Sequence, residues 1–591
     1  MAVSNILAHV RQSIDFQLPY LLLIFIVLAN IALSLFWLYR LALPRPIPGI
    51  PYDESSVHKL LGDFPNMTSH IAKRDGTFIT YIIELMVKLD APLIQVFIRP
   101  FSKPLLILAD FREAHDILIH RKEFDRSDSL GDLVKGLAPD HHIHLKTNTA
   151  WKMQRRLVQD LMTPSFLHNV AGPVIHQHAC VLIDLWCAKS TIADGIPFPA
   201  NDDINHVALD AVMAFAFGED FNHSMTRPNF EAIKKLDRSA IETLKKKNKD
   251  GVESIEFPKA EVDKLIQATL DLTETVGEVQ GNPFPMLTWA WVMRKPKVKN
   301  AFKIKENYIT TELNDSIKRL GGGKKGVVKS AVDHLIIRET GLAEKDGRAP
   351  NYLSRPMIDE VFGFVFAGHE TTSTTICWGL KFLSDNQTVQ SKLRTALQTS
   401  LATAKSQGRN PTIQEITGSH IHYLDATIEE VLRCASTAPV VDRQAIVDTE
   451  ILGYCIPKGT VITSLVGGPS MMIPAFAVDE GLRSPTSQAT KKEGRDRAWD
   501  PQDMSLFRPE RWILKDDFEA TAGPQLAFGL GTRGCYGKRL VYLEMKILLT
   551  LIVWNFELDT CPAAFSGYKS VLITTNEPRQ CYVKLKRIDR S

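Results

Sequence analysis

Apolar positions along the chain form one unbroken run near the start and periodic stripes after it. From Phe16 to Tyr39 there are 24 residues without a formal charge, and about 20 suffice to cross a bilayer core as a helix. Tyr20, Trp37 and Tyr39 lie near its ends, where amphipathic rings favour the headgroup zone. The run is too long for a removable signal peptide, and no small-residue cleavage site follows it. The pattern therefore predicts a short luminal N-terminus (1–15), a transmembrane anchor (16–39), a proline-rich connector (40–52, containing "PRPIPGIP") and a large body (53–591). Arg40 and Arg45 after the span face Arg11 and Asp15 before it, a bias that puts the body on the cytoplasmic side. On that topology the sequons at Asn66, Asn222, Asn314 and Asn386 carry no glycan.

Within the body, "APLIQVFIRPFSKPLLILAD" (91–110) reads as a β-hairpin, its β-branched and aromatic runs broken by Pro and Ser. Beyond it helical spacing dominates: "HLIIRE", "VFGFVFAGHETTSTTICWGLKFL", "SKLRTALQTSLATA" and "LDATIEEVLRCAS" all carry apolar residues on one face. Short strands return in "AIVDTEILGYCIPKGTVIT" and in the tail "GYKSVLITTNEPRQCYVKLKR". Three irregular stretches interrupt this. "GGGKKG" (321–326) reads as a surface loop, since no strand precedes it and P-loop spacing is absent. Ser470 to Asp500 reads as a surface insertion, rich in Gly, Ser, Pro and charge. "NPFPMLTWAWVM" (282–293) is apolar enough to rest on a membrane surface, but burial in the core is the preferred reading.

Composition narrows the class. With 45% hydrophobic and 23% charged residues and a formal charge of +3 on 591 residues, the chain is an ordinary globular protein without a nucleic-acid footprint. Its densest basic run, Lys245 to Lys249, reads as a solvated helix end or loop. Eight cysteines are scattered with no CxxC pair, which excludes a zinc cluster or a dense disulfide framework. Seven of them read as small packing residues.

The eighth, Cys535, sits in "FGLGTRGCYG" (528–537). Glycines at 531, 534 and 537 permit a tight path whose backbone amides can approach an anionic sulfur. A long apolar helix pattern follows, so Cys535 lies just before a helix N-terminus, where thiolate is favoured. Arg533 is placed to pair with a carboxylate of a bound cofactor. Phe528, Gly531, Arg533, Cys535 and Gly537 together resemble the haem-thiolate signature of the cytochromes P450.

Further motifs of that family stand in its order. Ala367-Gly368-His369-Glu370-Thr371-Thr372 resembles the oxygen-activation helix. There Gly363, Ala367 and Thr371 share one face, leaving room for a flat cofactor. The resemblance gives Thr371 a hydrogen bond to bound oxygen and Glu370 a proton-relay role. Glu430 and Arg433 form E-x-x-R on a helix, and Arg511 in "FRPERW" would complete a buried structural triad with them. Trp151 and Arg155 form W-x-x-x-R, a haem-propionate element, and Arg443 in "VVDRQ" stands where the family often supplies another. Only the 470–500 segment departs from the pattern.

The resemblance implies a mainly α fold with a small β-rich lobe, preceded by the one transmembrane helix, and haem b held between the Glu370 helix and the helix after Cys535. It implies a monooxygenase of the endoplasmic reticulum membrane acting on a lipophilic small molecule in secondary metabolism. NADPH would serve only through a partner NADPH–cytochrome P450 reductase, with cytochrome b5 as a second donor. The apolar stretches 362–367 and 438–441 are the expected pocket lining. A haem-thiolate isomerase or dehydratase that dispenses with O2 is the alternative, disfavoured by the intact Glu370–Thr371 pair; a non-enzymatic haem-binding membrane protein is the other.

Overall fold

A computed structural model describes residues 2–246, 254–280, 282, 284–321 and 327–589. Most of the "GGGKKG" stretch and of the Lys245–Lys249 run therefore lies outside the described residues. Helix α1 spans Ala2–Ala42. Its Leu22–Ala42 part is long and apolar enough to cross a membrane, and residues 22–41 are exposed. The predicted boundaries at 15 and 39 both fall inside this one helix. The connector after it is docked rather than free. Gln95 reaches it through three hydrogen bonds: it accepts from the Ile47 N–H (2.8 Å) and donates to the carbonyls of Ile47 (2.9 Å) and Ile50 (2.8 Å).

The 91–110 stretch forms the predicted hairpin, strands β1 (Leu93–Val96) and β2 (Leu105–Leu108), paired from Leu93↔Leu108 to Val96↔Leu105. Helix α2 (Phe111–Ile119) and strand β3 (Phe124–Asp125) follow. The helical body then contains α3 (Thr149–Val158), α4 (Gly172–Ala193), strand β4 (Phe198–Pro199), α5 (Asn201–Phe217), α6 (Pro285–Val292), α7 (Arg355–Asp385) and α8 (His422–Ala435). Strands β5 (Val440–Ala445) and β6 (Val461–Leu465) come next, then α9 (Pro485–Lys492) and α10 (Lys538–Asn555). The tail gives β7 (Phe556–Asp559), β8 (Ser570–Leu572), β9 (Asn576–Pro578) and β10 (Tyr582–Arg587).

The N-terminal hairpin is completed far along the chain, in a five-stranded sheet ordered β1-β2-β6-β5-β3 with β2 and β6 parallel. A second sheet joins β7, β10 and β4. Helix α7 is buried on nearly every face and runs through the main core, packed on α5, α8 and α10. The protein is thus mainly α with a small β lobe.

One stretch differs from expectation, and a second is held more firmly than its composition suggests. The Trp-rich segment is split rather than simply buried. Trp289 of α6 is buried and donates its indole N–H to the Asp132 carbonyl at 2.8 Å, whereas Leu287 and Trp291 are 71% and 59% exposed. The 470–500 insertion is fastened at the surface. Arg483 grips both oxygens of Asp110 at 2.7 Å in a buried pair, Arg112 holds Glu480, and Ser484 donates to Asp116 at 2.6 Å, so α9 lies against α2. Among the seven other cysteines, Cys455 is exposed rather than packed.

Candidate active site

The cysteine loop is a tight turn between β-lobe and helix. Gly529 and Gly531 take φ of +59° and +70°, and a Cβ on Gly531 would lie 2.2 Å from the Leu118 carbonyl oxygen. Only glycine fits there. The Cys535 N–H donates to the Phe528 carbonyl at 2.7 Å, which turns the thiol into a cavity of about 560 Å³. Gly537 is the N-cap of α10. Burial by the surrounding protein pushes the Cys535 thiol up, and more strongly than the Gly537 and Lys538 amides of the helix start and the Arg155 charge pull it down.

One wall of the cavity is cationic. Arg155 lies 3.9 Å over the Tyr536 ring and Arg533 4.6 Å over the Trp151 ring. Arg443 donates to the carbonyls of Asp442 and Leu530, and Arg126 to the Arg533 carbonyl at 3.1 Å. Arg533 Nη1 and Arg126 Nε are buried with no partner. Burial, then mutual repulsion, lowers Arg443 to about 10 and Arg533 to about 9. Burial lowers Arg126 and Arg155 as well. Buried guanidiniums with spare donors are costly unless an anion meets them. Trp151, Arg155, Arg443 and Arg533 were all legible in the sequence. Arg126 was not, because no motif spacing ties it to Trp151.

Helix α7 forms the facing wall. Gly363, Ala367, Gly368 and Thr371 line the cavity, and Thr371 Oγ1 donates back to the Ala367 carbonyl at 2.8 Å. A Cβ on Gly368 would meet Val212 of α5 at 2.6 Å, so this glycine lets the helices close up. Glu370 faces the tail hairpin, hydrogen-bonded to Glu577, Thr574 and Thr575; burial and the Glu577 charge push it up to about 7. The expected lining is corrected. Helical periodicity brings only Gly363, Phe364 and Ala367 of 362–367 to the cavity, while Ala438, Val440 and Val441 line it from β5 and the residues before it. His141 and His142, which no motif pointed to, line it too.

The sequence profile described as Cytochrome P450 matches residues 84–468 and 499–573. The chain is a cytochrome P450. It is 42% identical over 96% of its length to "Cytochrome P450 monooxygenase TRI13" of Fusarium sporotrichioides, of which 99% is covered. It is 36% identical over 95% of its length to "Cytochrome P450 monooxygenase GME11363" of Pestalotiopsis microspora, with 97% of that protein covered. A third relative, "Hps1-dma1 cluster cytochrome P450 monooxygenase cyp3.1" of Dothistroma septosporum, is 40% identical over 48% of this chain and 96% of its own.

P450 monooxygenases hold haem through a cysteine thiolate and draw on redox partners, and the cavity of this P450 fits that group. Its one thiol faces a wall whose orphaned guanidinium nitrogens match a flat dianion, and Gly531 removes the Cβ that would open the loop. The break in the profile match, 469–498, coincides with the insertion. Away from the cavity the predicted charge triad is assembled. Glu430 Oε1 accepts from Arg433 (2.7 Å), Arg511 (3.0 Å) and the Arg508 N–H (2.8 Å), and Oε2 from Arg433 (2.8 Å) and Trp512 (2.9 Å).

Proposed function

We propose that this P450 is a membrane-anchored monooxygenase that hydroxylates or epoxidises a lipophilic small molecule. The observation that carries the reading is one cavity with Cys535 on its floor and the Thr371 wall opposite. Bound haem b would supply dioxygen activation, its thiolate favouring O–O cleavage. Cys535 would ligate the iron, with Phe528, Gly531 and Gly537 shaping its loop. Trp151, Arg155, Arg443, Arg533 and Arg126 would hold the carboxylates. Ala367 and Gly368 leave the distal space open. Thr371 keeps a hydroxyl proton at the cavity wall. Glu370, near neutrality beside Glu577, can take up and release a proton at working pH.

The apolar Leu22–Ala42 part of α1 supports a membrane anchor, read here as one that holds the body at the cytoplasmic face of the endoplasmic reticulum. Electrons would come from NADPH–cytochrome P450 reductase, with cytochrome b5 as a second donor. Secondary metabolism is supported by the relative whose name assigns it to a cluster.

The test uses full-length protein in microsomes with the reductase. The CO-difference spectrum of thiolate-ligated haem and NADPH-dependent O2 uptake coupled to a hydroxylated product are expected. Cys535→Ala should lose the spectrum outright. Turnover of substrate without O2 or NADPH would replace this reading with the isomerase one.

A further inference from the structure

Glu360 lies one turn before Gly363 on α7, and its side chain is fully buried. Its carboxyl collects donors from one short stretch before α3. The His142 N–H reaches Oε1 at 2.9 Å, His142 Nδ1 reaches Oε2 at 2.7 Å, and His141 Nε2 stands 3.4 Å from Oε2. His141 Nδ1 accepts from the Ile143 N–H at 3.2 Å, which leaves its proton on Nε2, toward Glu360. The His141 ring occupies the space where a Gly363 Cβ would sit, 2.3 Å from Nε2. The glycine on α7 is therefore what admits this pair of histidines.

His142 spends Nδ1 on Glu360, and its Nε2 meets no protein partner among the described residues, while the residue lines the cavity. Leu130, Leu133, Phe215 and Phe364 contribute apolar surface to that cavity, and Arg126, Arg155 and Arg533 its charge. A ligand hydroxyl that meets the free nitrogen gains specificity over an analogue without one.

We propose that His142, oriented by Glu360, is a specificity-determining residue that hydrogen-bonds a hydroxyl group of the substrate. The substrate class is then a lipophilic alcohol, oxygenated before it arrives here. A hydroxyl fits because it both donates and accepts. With the proton on Nδ1 it donates to Nε2, and with the proton shifted it accepts from Nε2. An earlier hydroxylation, hydration or carbonyl reduction must install that oxygen. The inference rests on the monooxygenase reading of the same cavity.

The test is a set of haem spin-shift titrations on full-length holoprotein in nanodiscs. The probes are matched pairs: cedrol with cedrane, patchoulol with patchoulane, androstan-3-ol with androstane. In at least one pair the alcohol should bind about tenfold more tightly than its hydrocarbon, the worth of one buried hydrogen bond. In His142→Phe that preference should fall to about twofold or less, with hydrocarbon affinity kept; His142→Gln, which retains a polar tip, should fall between. Only variants with wild-type haem content and CO spectrum are scored. Equal binding within every pair, or no spin shift with any alcohol, overturns the proposal. So does a preference that survives in His142→Phe. Haem loss in both variants would reassign His142 to the haem carboxylates and overturn the proposal as well. A wild-type protein lacking the thiolate CO spectrum would instead sink the monooxygenase reading.

Discussion

Two arginine clusters in this P450 are built from the same side chain and end in opposite states. Around Glu430 every strong donor is met. Arg433 also reaches the carbonyls of Met471, Met504 and Leu506, and Arg511 binds Asp503 through a side-chain oxygen and its carbonyl. Around the cavity, Arg126 and Arg533 keep orphaned nitrogens; burial weakens the hold of both on the proton, and repulsion from neighbouring arginines adds to it at Arg533. The first cluster is complete within the chain and fixes the fold. The second is complete only with an anionic ligand. Saturation, rather than burial or residue type, separates a structural charge cluster from a binding one.

The sharpest way to break the contrast is to remove the centre of the saturated cluster. Glu430→Ala strands Arg433 and Arg511 and should cost about 3–5 kcal/mol, read as lost folded holoprotein and a lower denaturant midpoint. Second comes the pH response of acids in the two regions. Glu544 of α10 lines the cavity, and burial pushes it up to about 8. The folded chain then holds a proton that the unfolded one releases above about 4.5, so stability should fall as pH rises from there toward 8. Glu544→Gln should flatten that slope in apoprotein melts across the window.

Arg533→Ala should behave unlike Glu430→Ala. The apoprotein should keep or slightly gain stability because a repelling charge is gone. Haem transfer to apomyoglobin should be about tenfold faster, the worth of one charge-assisted contact. The smallest effect belongs to Asp503. Burial pulls it up, but Arg511 and Arg508 win and hold it below its ordinary value. Its contribution is present above the unfolded carboxylate range and lost as pH falls through the folded one. Asp503→Asn should cost about 0.5–1 kcal/mol at neutral pH and little in acid, the reverse of the Glu544 slope.

Legibility in the sequence followed the distance over which each feature is built. Cys535 with its glycines, Glu370–Thr371, Glu430–Arg433 and Trp151–Arg155 are local spacings, set by turn geometry and helix period; the fold brings Cys535, Thr371, Trp151 and Arg155 to one cavity and pairs Glu430 with Arg433, while Glu370 turns to the tail hairpin. The 91–110 hairpin was legible for the same reason. Arg126 and the His141–His142–Glu360 group were not, since Glu360 stands more than 200 residues from the histidines it accepts from. The split of the Trp-rich segment also needed the fold. An apolar helix states that it will be buried but not which of its two tryptophans finds the Asp132 carbonyl.

The sequence by itself determined the class of chemistry, because a thiol in a glycine turn, an acid–alcohol pair and a membrane-length apolar run are local statements about backbone freedom, proton supply and solvent. Tertiary structure alone decided which charges are met and which are left open. It set Glu430 among five donors, left Arg533 with an unmet nitrogen beside the cavity, and brought His142 from a distant loop to the cavity wall. Satisfaction of a buried polar atom depends on partners that only packing of distant segments can bring within about 3 Å.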